Sequence, residues 1–356
     1  MNRYILIFFL LAVVLYLYTR YLRLQKESSQ EKIETFQTQA AITPTEKLAS
    51  HHGITLSFLP ASHAARQMQS AAQEYIARMN QPNLAARGVQ SQQELMAAYT
   101  QAFQDITPTE QSTIQKFLLD LLSRIQTKYP AYYRYLTKWL KKISLAKSRA
   151  SLEGGMPHTL GSIVVMDADW FAKPRATTLL HEITHIHQRE VSFEFEDLYA
   201  GWGYLPAPMN AIQGMLPVLT LNRNNPDGIS PDWLWQEPRT VGGDGSRVWW
   251  IGAIFPSATP TTLNNVSLIA LKMERDTQGN FYYLKQAPTP LDTLAPFMTY
   301  FGGSSPNNYH PNEMAAKFAE WYLEDMLGTP QHAKQRESIG YQVYKDHINQ
   351  LLETYY

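Results

Sequence analysis

His181-Glu182-Ile183-Thr184-His185 is the stretch on which the reading of this chain turns. If it is helical, the two histidines sit one turn apart on one face, where both imidazoles can reach a single metal ion and Glu182 lies beside the open coordination position. The neighbouring residues favour a helix. From Lys173-Pro174-Arg175 onward, Leu179, Leu180, Ile183 and Ile186 recur at helical spacing, with Pro174 at the opening turn. Upstream, Gly161-Ser162-Ile163-Val164-Val165-Met166 is apolar and β-branched, is bounded by Asp167 and Asp169, and reads as a short buried strand. His187 projects to a different helical face and is not assigned to the metal. The spacing points to metal-assisted hydrolysis.

A catalytic zinc ion takes three protein ligands and leaves a fourth position to water. The next helical turn does not supply the third, because Gln188 and Val191 stand where an extended motif would need Gly and His. Far downstream, Asn307-Asn308-Tyr309-His310-Pro311-Asn312-Glu313-Met314-Ala315-Ala316 passes from a polar turn into an amphipathic helix starting near Pro311 and Asn312. Glu313 is the first candidate for the third ligand. Glu194, Glu196 and Asp197, which follow the first helix, compete with it.

At these residues the chain resembles the gluzincin group of zinc metallopeptidases, in which a His-Glu-x-x-His helix is joined by a glutamate from a later Asn-Glu-x-x-Ala helix. The matching runs are His181–His185 and Asn312-Glu313-Met314-Ala315-Ala316, and the resemblance covers about residues 161–327. It implies an α+β, zincin-like catalytic domain with Zn2+ held by His181, His185 and Glu313, and Glu182 as general base for peptide-bond hydrolysis. Ala316 would let the two helices approach closely. The Ser-Asp pair of thermolysin-like members is missing, so Glu320 becomes the candidate for orienting a ligand histidine. Tyr309, His310 and Tyr300 are candidate donors to the oxyanion of a tetrahedral intermediate. The alternatives are a zincin fold that binds without turnover and a zinc hydrolase of non-peptide amides.

The amino terminus carries a second signal. Tyr4 to Thr19 is uncharged and apolar between Arg3 and Arg20; as a helix it would span roughly 24 Å, close to a bilayer core. Bulky, basic Tyr18–Arg23 offers no small-residue cleavage site, so residues 1–24 are expected to be an uncleaved single-pass anchor. Arg20, Arg23 and Lys26 tilt the main body towards the cytoplasm. Residues 25–50, rich in Gln, Glu, Ser and Thr, read as a polar tether.

Residues 51–150 read as a helical domain. Ser91–Glu94 and Thr107–Glu110 look like capping boxes, and a stripe from Ile114 to Ile125 reads as core. A further helix near Tyr132–Lys147 carries Lys138, Lys141, Lys142 and Lys147 beside aromatic residues, a pattern that suits a solvated face. The zincin-like domain, 151–330, is expected to hold a β-rich insertion at about 201–300, with a strand over Arg247–Phe255 and a hairpin around Asp276-Thr277-Gln278-Gly279. Residues 331–356 read as a C-terminal helix. With 44% hydrophobic and 12% aromatic residues the chain can build a large core, and its 31 basic and 31 acidic residues give no electrostatic case for nucleic acid. The chain has no cysteine, which removes cysteine-hydrolase and zinc-finger readings. The expected partners are therefore a peptide or protein substrate and a membrane.

Overall fold

Two strands with little alternation of apolar and polar residues, β4 (Lys142–Ser148) and β6 (Ile163–Asp167), run parallel at the centre of one sheet, where both of their faces are covered. In this computed structural model the described residues are 47–149, 151–227, 232–242, 245–303, 309–329 and 335–354. The proposed anchor and most of the tether lie outside them. Among the described residues, no helix is long and apolar enough to cross a membrane.

The first sheet has the order β1 (Lys47–His51), β2 (Ile54–Phe58), β4, β6, β5 (His158–Leu160). Strands β2, β4 and β6 are parallel, while β1 and β5 are antiparallel to their neighbours. Short β3 (Phe103–Gln104) pairs with the end of β4. On one face, Ile163 and Val165 pack under α1 (Ala61–Ala71) and α2 (Gln92–Gln101), against Met68, Leu95 and Tyr99. The other face carries α3 (Pro108–Lys128), α4 (Pro130–Trp139) and α5 (Ala176–Glu190). There Val164 and Met166 meet Leu118, Leu122, Leu136, Leu179, Ile183 and Ile186. Strand periodicity thus divides β6 between two cores, and helical periodicity points α5 at one of them.

The segment 51–150 is therefore not helical throughout, because β2, β3 and β4 lie within it. The basic stretch near Tyr132–Lys147 is not one helix either: α4 stops at Trp139, Leu140 takes an extended conformation, and Lys147 on β4 pairs with Glu110 at 2.7 Å. A boundary near 150 would cut the sheet between β4 and its partner β6, and the described chain from Lys47 forms one compact unit. Helix starts follow their signals. Thr107 and Glu110 form a reciprocal capping box at α3, and the Ser91 side chain accepts from the Glu94 amide at α2.

After α5 come α6 (Ser192–Gly201) and a second, wholly antiparallel sheet. Its order is β11 (Phe281–Tyr282), β10 (Ser267–Arg275), β9 (Val248–Ile254), β8 (Trp233–Gln236), β7 (Tyr204–Pro206), with β12 (Thr289–Pro290) also on β10. Asp276–Asn280 closes the hairpin between β10 and β11. Trp250 folds its indole over Gly252, where any Cβ would collide with the ring. The opposite face of β8 and β9, with Trp235, Trp249 and Ile251, packs on α7 (Ala295–Phe301), α8 (Pro311–Leu327) and α9 (Ile339–Thr354).

Among the described residues, helices α5 and α8 make the most extensive helix–helix contact. Ala315, Ala316 and Ala319 are buried on α8, so small side chains permit the close approach expected of Ala316. Helix α8 begins with His310 as N-cap and Pro311 in its first turn, and ends at Gly328 with φ 71°.

Candidate metal centre

Where α5 meets α8, the side chains of His181, His185 and Glu313 converge, with one donor atom from each lying within 4.8 Å of the others. Glu313 Oε2 is 3.3 Å from His181 Nε2 and 3.9 Å from His185 Nε2. A tetrahedral ion about 2.0–2.2 Å from each donor holds donors about 3.3–3.6 Å apart, close to these spacings. All three residues are buried.

Their outer atoms are already committed. His181 Nδ1 lies 2.7 Å from Glu320 Oε1, and Glu320 Oε2 accepts from Lys317 Nζ at 2.9 Å. A carboxylate can only accept, so Nδ1 carries a proton, and in the neutral imidazole Nε2 then presents its lone pair inward. His185 Nδ1 donates to Gln188 Oε1 at 2.8 Å, while Gln188 Nε2 donates to the Asn312 carbonyl at 2.8 Å and so sets the amide orientation. Asn225 Nδ2 donates to Glu313 Oε1 at 2.6 Å, which leaves Oε2 for the centre. Each ligand candidate is thus aimed by a separate neighbour.

A cation fits this arrangement on a specific observation. His185 Nε2 is fully buried, has no hydrogen-bond partner, and faces a carboxylate oxygen at 3.9 Å. Burial pushes His185 down to about 3, so no proton occupies that nitrogen at neutral pH. Two electron-rich atoms facing one another in a dry site repel unless positive charge lies between them. Burial also acts on Glu313, but when His181 is protonated its hydrogen bond, with the neighbouring His185, outweighs burial and holds the carboxyl at about 2, so it is ionised.

Glu182 points into the same cleft, 3% exposed, with Oε2 lacking a protein partner. Burial, reinforced by the negative charge of Asp227, raises its pKa well above the carboxylate range. The cleft has a volume of about 330 Å³; its walls include Arg175, Arg223, Asn225, Asp227 and Asn264 as well as His181, Glu182 and Glu313.

One wall is a polar loop, residues 222–227, tied down from several directions. Asp227 Oδ1 accepts from the Thr159 amide on β5 at 2.6 Å. Arg189 on α5 donates to the Asp227 carbonyl, to Thr159 Oγ1 and to the Gly161 carbonyl. Asn83 accepts from the Asn224 amide, and Arg87 Nη2 donates to the Asn224 carbonyl at 2.9 Å. Arg87 itself pairs at 2.8 Å with Glu153, which also accepts from Tyr99 at 2.6 Å and Tyr75 at 3.2 Å. Residues 83–87, 153 and 159 therefore brace the loop that positions Glu313.

Other candidates from the sequence fall elsewhere. Tyr309 is buried outside the cleft lining; its hydroxyl accepts from Asn225 Nδ2 at 3.1 Å, and burial pushes its phenol up to about 12. His310 Nδ1 accepts from the Asn312 amide at 3.2 Å, a helix-capping role, and His310 does not line the cleft. Tyr300 donates to the Gly201 carbonyl at 3.2 Å. Glu194 serves Tyr135 and lies 3.2 Å from His187, which stacks on Trp139, while Glu196 and Asp197 are exposed. None of these three acids joins the centre. Sequence reading missed Gln188, Arg223, Asn225 and Asp227; the run Arg223-Asn224-Asn225-Pro226-Asp227 is a turn signal that says nothing of its long-range partners.

Comparison of the chain with protein-family models, curated proteins and solved structures finds no match among any of the three.

Proposed function

We propose that this chain is a zinc-dependent peptidase of gluzincin-like design, with His181, His185 and Glu313 as metal ligands and Glu182 as general base. The supporting observation is the convergence of three separately oriented donors beside a buried carboxylate that keeps one oxygen without a protein partner. Two imidazoles and one carboxylate form a donor set suited to zinc, and three protein ligands leave a position for water or substrate. When bound there, zinc supplies Lewis acidity that polarises a carbonyl and brings the pKa of water towards about 7.

The residues divide the remaining work. Glu182 accepts a proton from the attacking water and returns it to the leaving amine, a shuttle favoured by its raised pKa and dry surroundings. Glu320 and Gln188 hold the imidazoles in the tautomer that offers Nε2. Tyr309 and His310 lie outside the cleft lining, and Asn225 on its wall orients Glu313 through Oε1, leaving Oε2 for the metal. The apolar run 4–19 is proposed to anchor the peptidase in a membrane, with its body towards the cytoplasm.

The experiment is metal analysis joined to peptide cleavage. Wild-type protein should hold about one zinc per chain, and Glu182→Gln should keep the zinc while losing cleavage by roughly 10²–10⁴-fold or more. A Glu182→Gln protein as active as wild type, or a chain that takes up no zinc, would remove the proposal.

A further inference from the structure

Most charged groups around the cleft are paired, and among the described residues its two arginines Arg175 and Arg223 make no ion pair. Glu153 neutralises Arg87 at 2.8 Å, Lys317 and His181 flank Glu320, and Asp227 sits on the Thr159 amide near Arg189. Arg223 has no carboxylate within ion-pair distance among the described residues. It is half-buried and lines the cleft, its guanidinium 5.3 Å from the centre of the Tyr309 ring. A guanidinium has five N–H donors in a planar fork, and a ring face satisfies its charge only in part. Its backbone is fixed, because the Arg223 amide donates to the Ala253 carbonyl at 2.8 Å and the flanking Asn224 is held by Asn83 and Arg87.

Arg223 lines the same cleft as His181, Glu182 and Glu313. Two residues later, Asn225 donates both to Glu313 Oε1 and to the hydroxyl of the Tyr309 on which Arg223 stacks. Arg175 adds a second cation to the same lining, its Nε donating to Thr178 Oγ1 at 3.2 Å. An extended peptide advances about 3.3–3.6 Å per residue, so in a cleft of about 330 Å³ the groups flanking the scissile bond share these walls. The group that matches a planar, preorganised guanidinium is a carboxylate, bound through two parallel hydrogen bonds.

We propose, building on the peptidase reading, that the cleft selects peptides presenting a carboxylate beside the cleaved bond, and that Arg223 is the specificity residue that receives it. The carboxylate comes either from the substrate C-terminus or from an acidic side chain. Both offer the same chemistry.

The test is calorimetric binding to the full chain, zinc-loaded and carrying Glu182→Gln so that nothing is turned over. The probes are acetyl-Ala-Ala-Ala as free acid, the same peptide as its C-terminal amide, and acetyl-Ala-Glu-Ala amide. At least one carboxylate-bearing probe should bind tenfold or more tighter than the neutral amide, and which one does so identifies the source. Arg223→Gln should abolish that preference with unchanged zinc content, and Arg223→Lys should keep part of it, because lysine retains charge without the fork. Equal binding of all three probes, no binding below millimolar concentration, or a preference that survives Arg223→Gln overturns the proposal. Carboxylate selectivity lost in Arg223→Gln, in a protein whose wild type cleaves no peptide, would overturn the peptidase reading and leave Arg223 as a carboxylate-binding residue only. Cleavage without selectivity would do the reverse.

Discussion

Glu153→Gln isolates the brace behind the metal centre. The Glu153 carboxylate is 1% exposed and accepts from Arg87 Nε and Nη2, Tyr99 and Tyr75, while Arg87 is 3% exposed and donates onward to the carbonyls of Asn83 and Asn224. Glutamine keeps the shape and most of the hydrogen bonds but leaves a buried guanidinium without its counter-charge. Removing one partner of a buried pair costs about 3–5 kcal/mol. With an unfolding entropy of about 2.1 cal/mol/K per residue, or about 0.65 kcal/mol/K over the unit from Lys47, the melting temperature should fall by about 5–8 °C. The pH dependence has a definite sign. Arg87 holds the Glu153 pKa below its ordinary value, so the stabilisation is present above the unfolded-state pKa and is lost as pH falls through the lower folded value. The gap between wild type and Glu153→Gln, measured by calorimetric melting from pH 7 downward, should therefore narrow in acid. Because Arg87 steadies Asn224 beside Asn225, the variant should also bind zinc more weakly. A melting temperature within about 1 °C of wild type at pH 7, or a gap that widens in acid, would refute the reasoning.

Further outcomes concern the centre directly. Glu320→Ala and Gln188→Ala should each weaken zinc binding by about 10–100-fold in chelator competition, because each frees an imidazole tautomer that the native chain holds. Replacing Glu313 with Ala should lose the metal at stoichiometric zinc, and unchanged content would reject it as third ligand. Ala316→Leu, at a position with no exposed surface between α5 and α8, should cost about 1–3 kcal/mol in urea unfolding and reduce zinc affinity, because the helices carrying the ligands are forced apart. Chelation of bound zinc should lower stability by about 2.7 kcal/mol relative to protein at free zinc a hundredfold above its Kd, read as a shift in the unfolding midpoint.

The parts of this molecule legible in the sequence are those written in local periodicity. Two histidines and Glu182 on α5, the helix start before Glu313, β9 and the β10–β11 hairpin all follow from spacing and turn residues within one element. Strand β4 was opaque for a physical reason: it is buried on both faces between parallel neighbours, so it lacks alternation, and its terminal lysines resemble a continuation of α4. Tyr309 and His310 drew attention by adjacency to Glu313, yet helix geometry turns one into the Asn225 acceptor and the other into the cap. The loop carrying Arg223, Asn225 and Asp227 has no periodicity, and its partners Asn83, Arg87 and Thr159 lie far off in the chain. Only folding brings that wall to the ligands.

The central claim is tested most directly by anomalous diffraction at the zinc edge from crystals of the zinc-loaded protein. One strong peak is expected about 2.0–2.2 Å from Nε2 of His181, Nε2 of His185 and Oε2 of Glu313, with the Glu182 carboxylate facing it across the cleft. A peak on other ligands, or none at this position under saturating zinc, would contradict it.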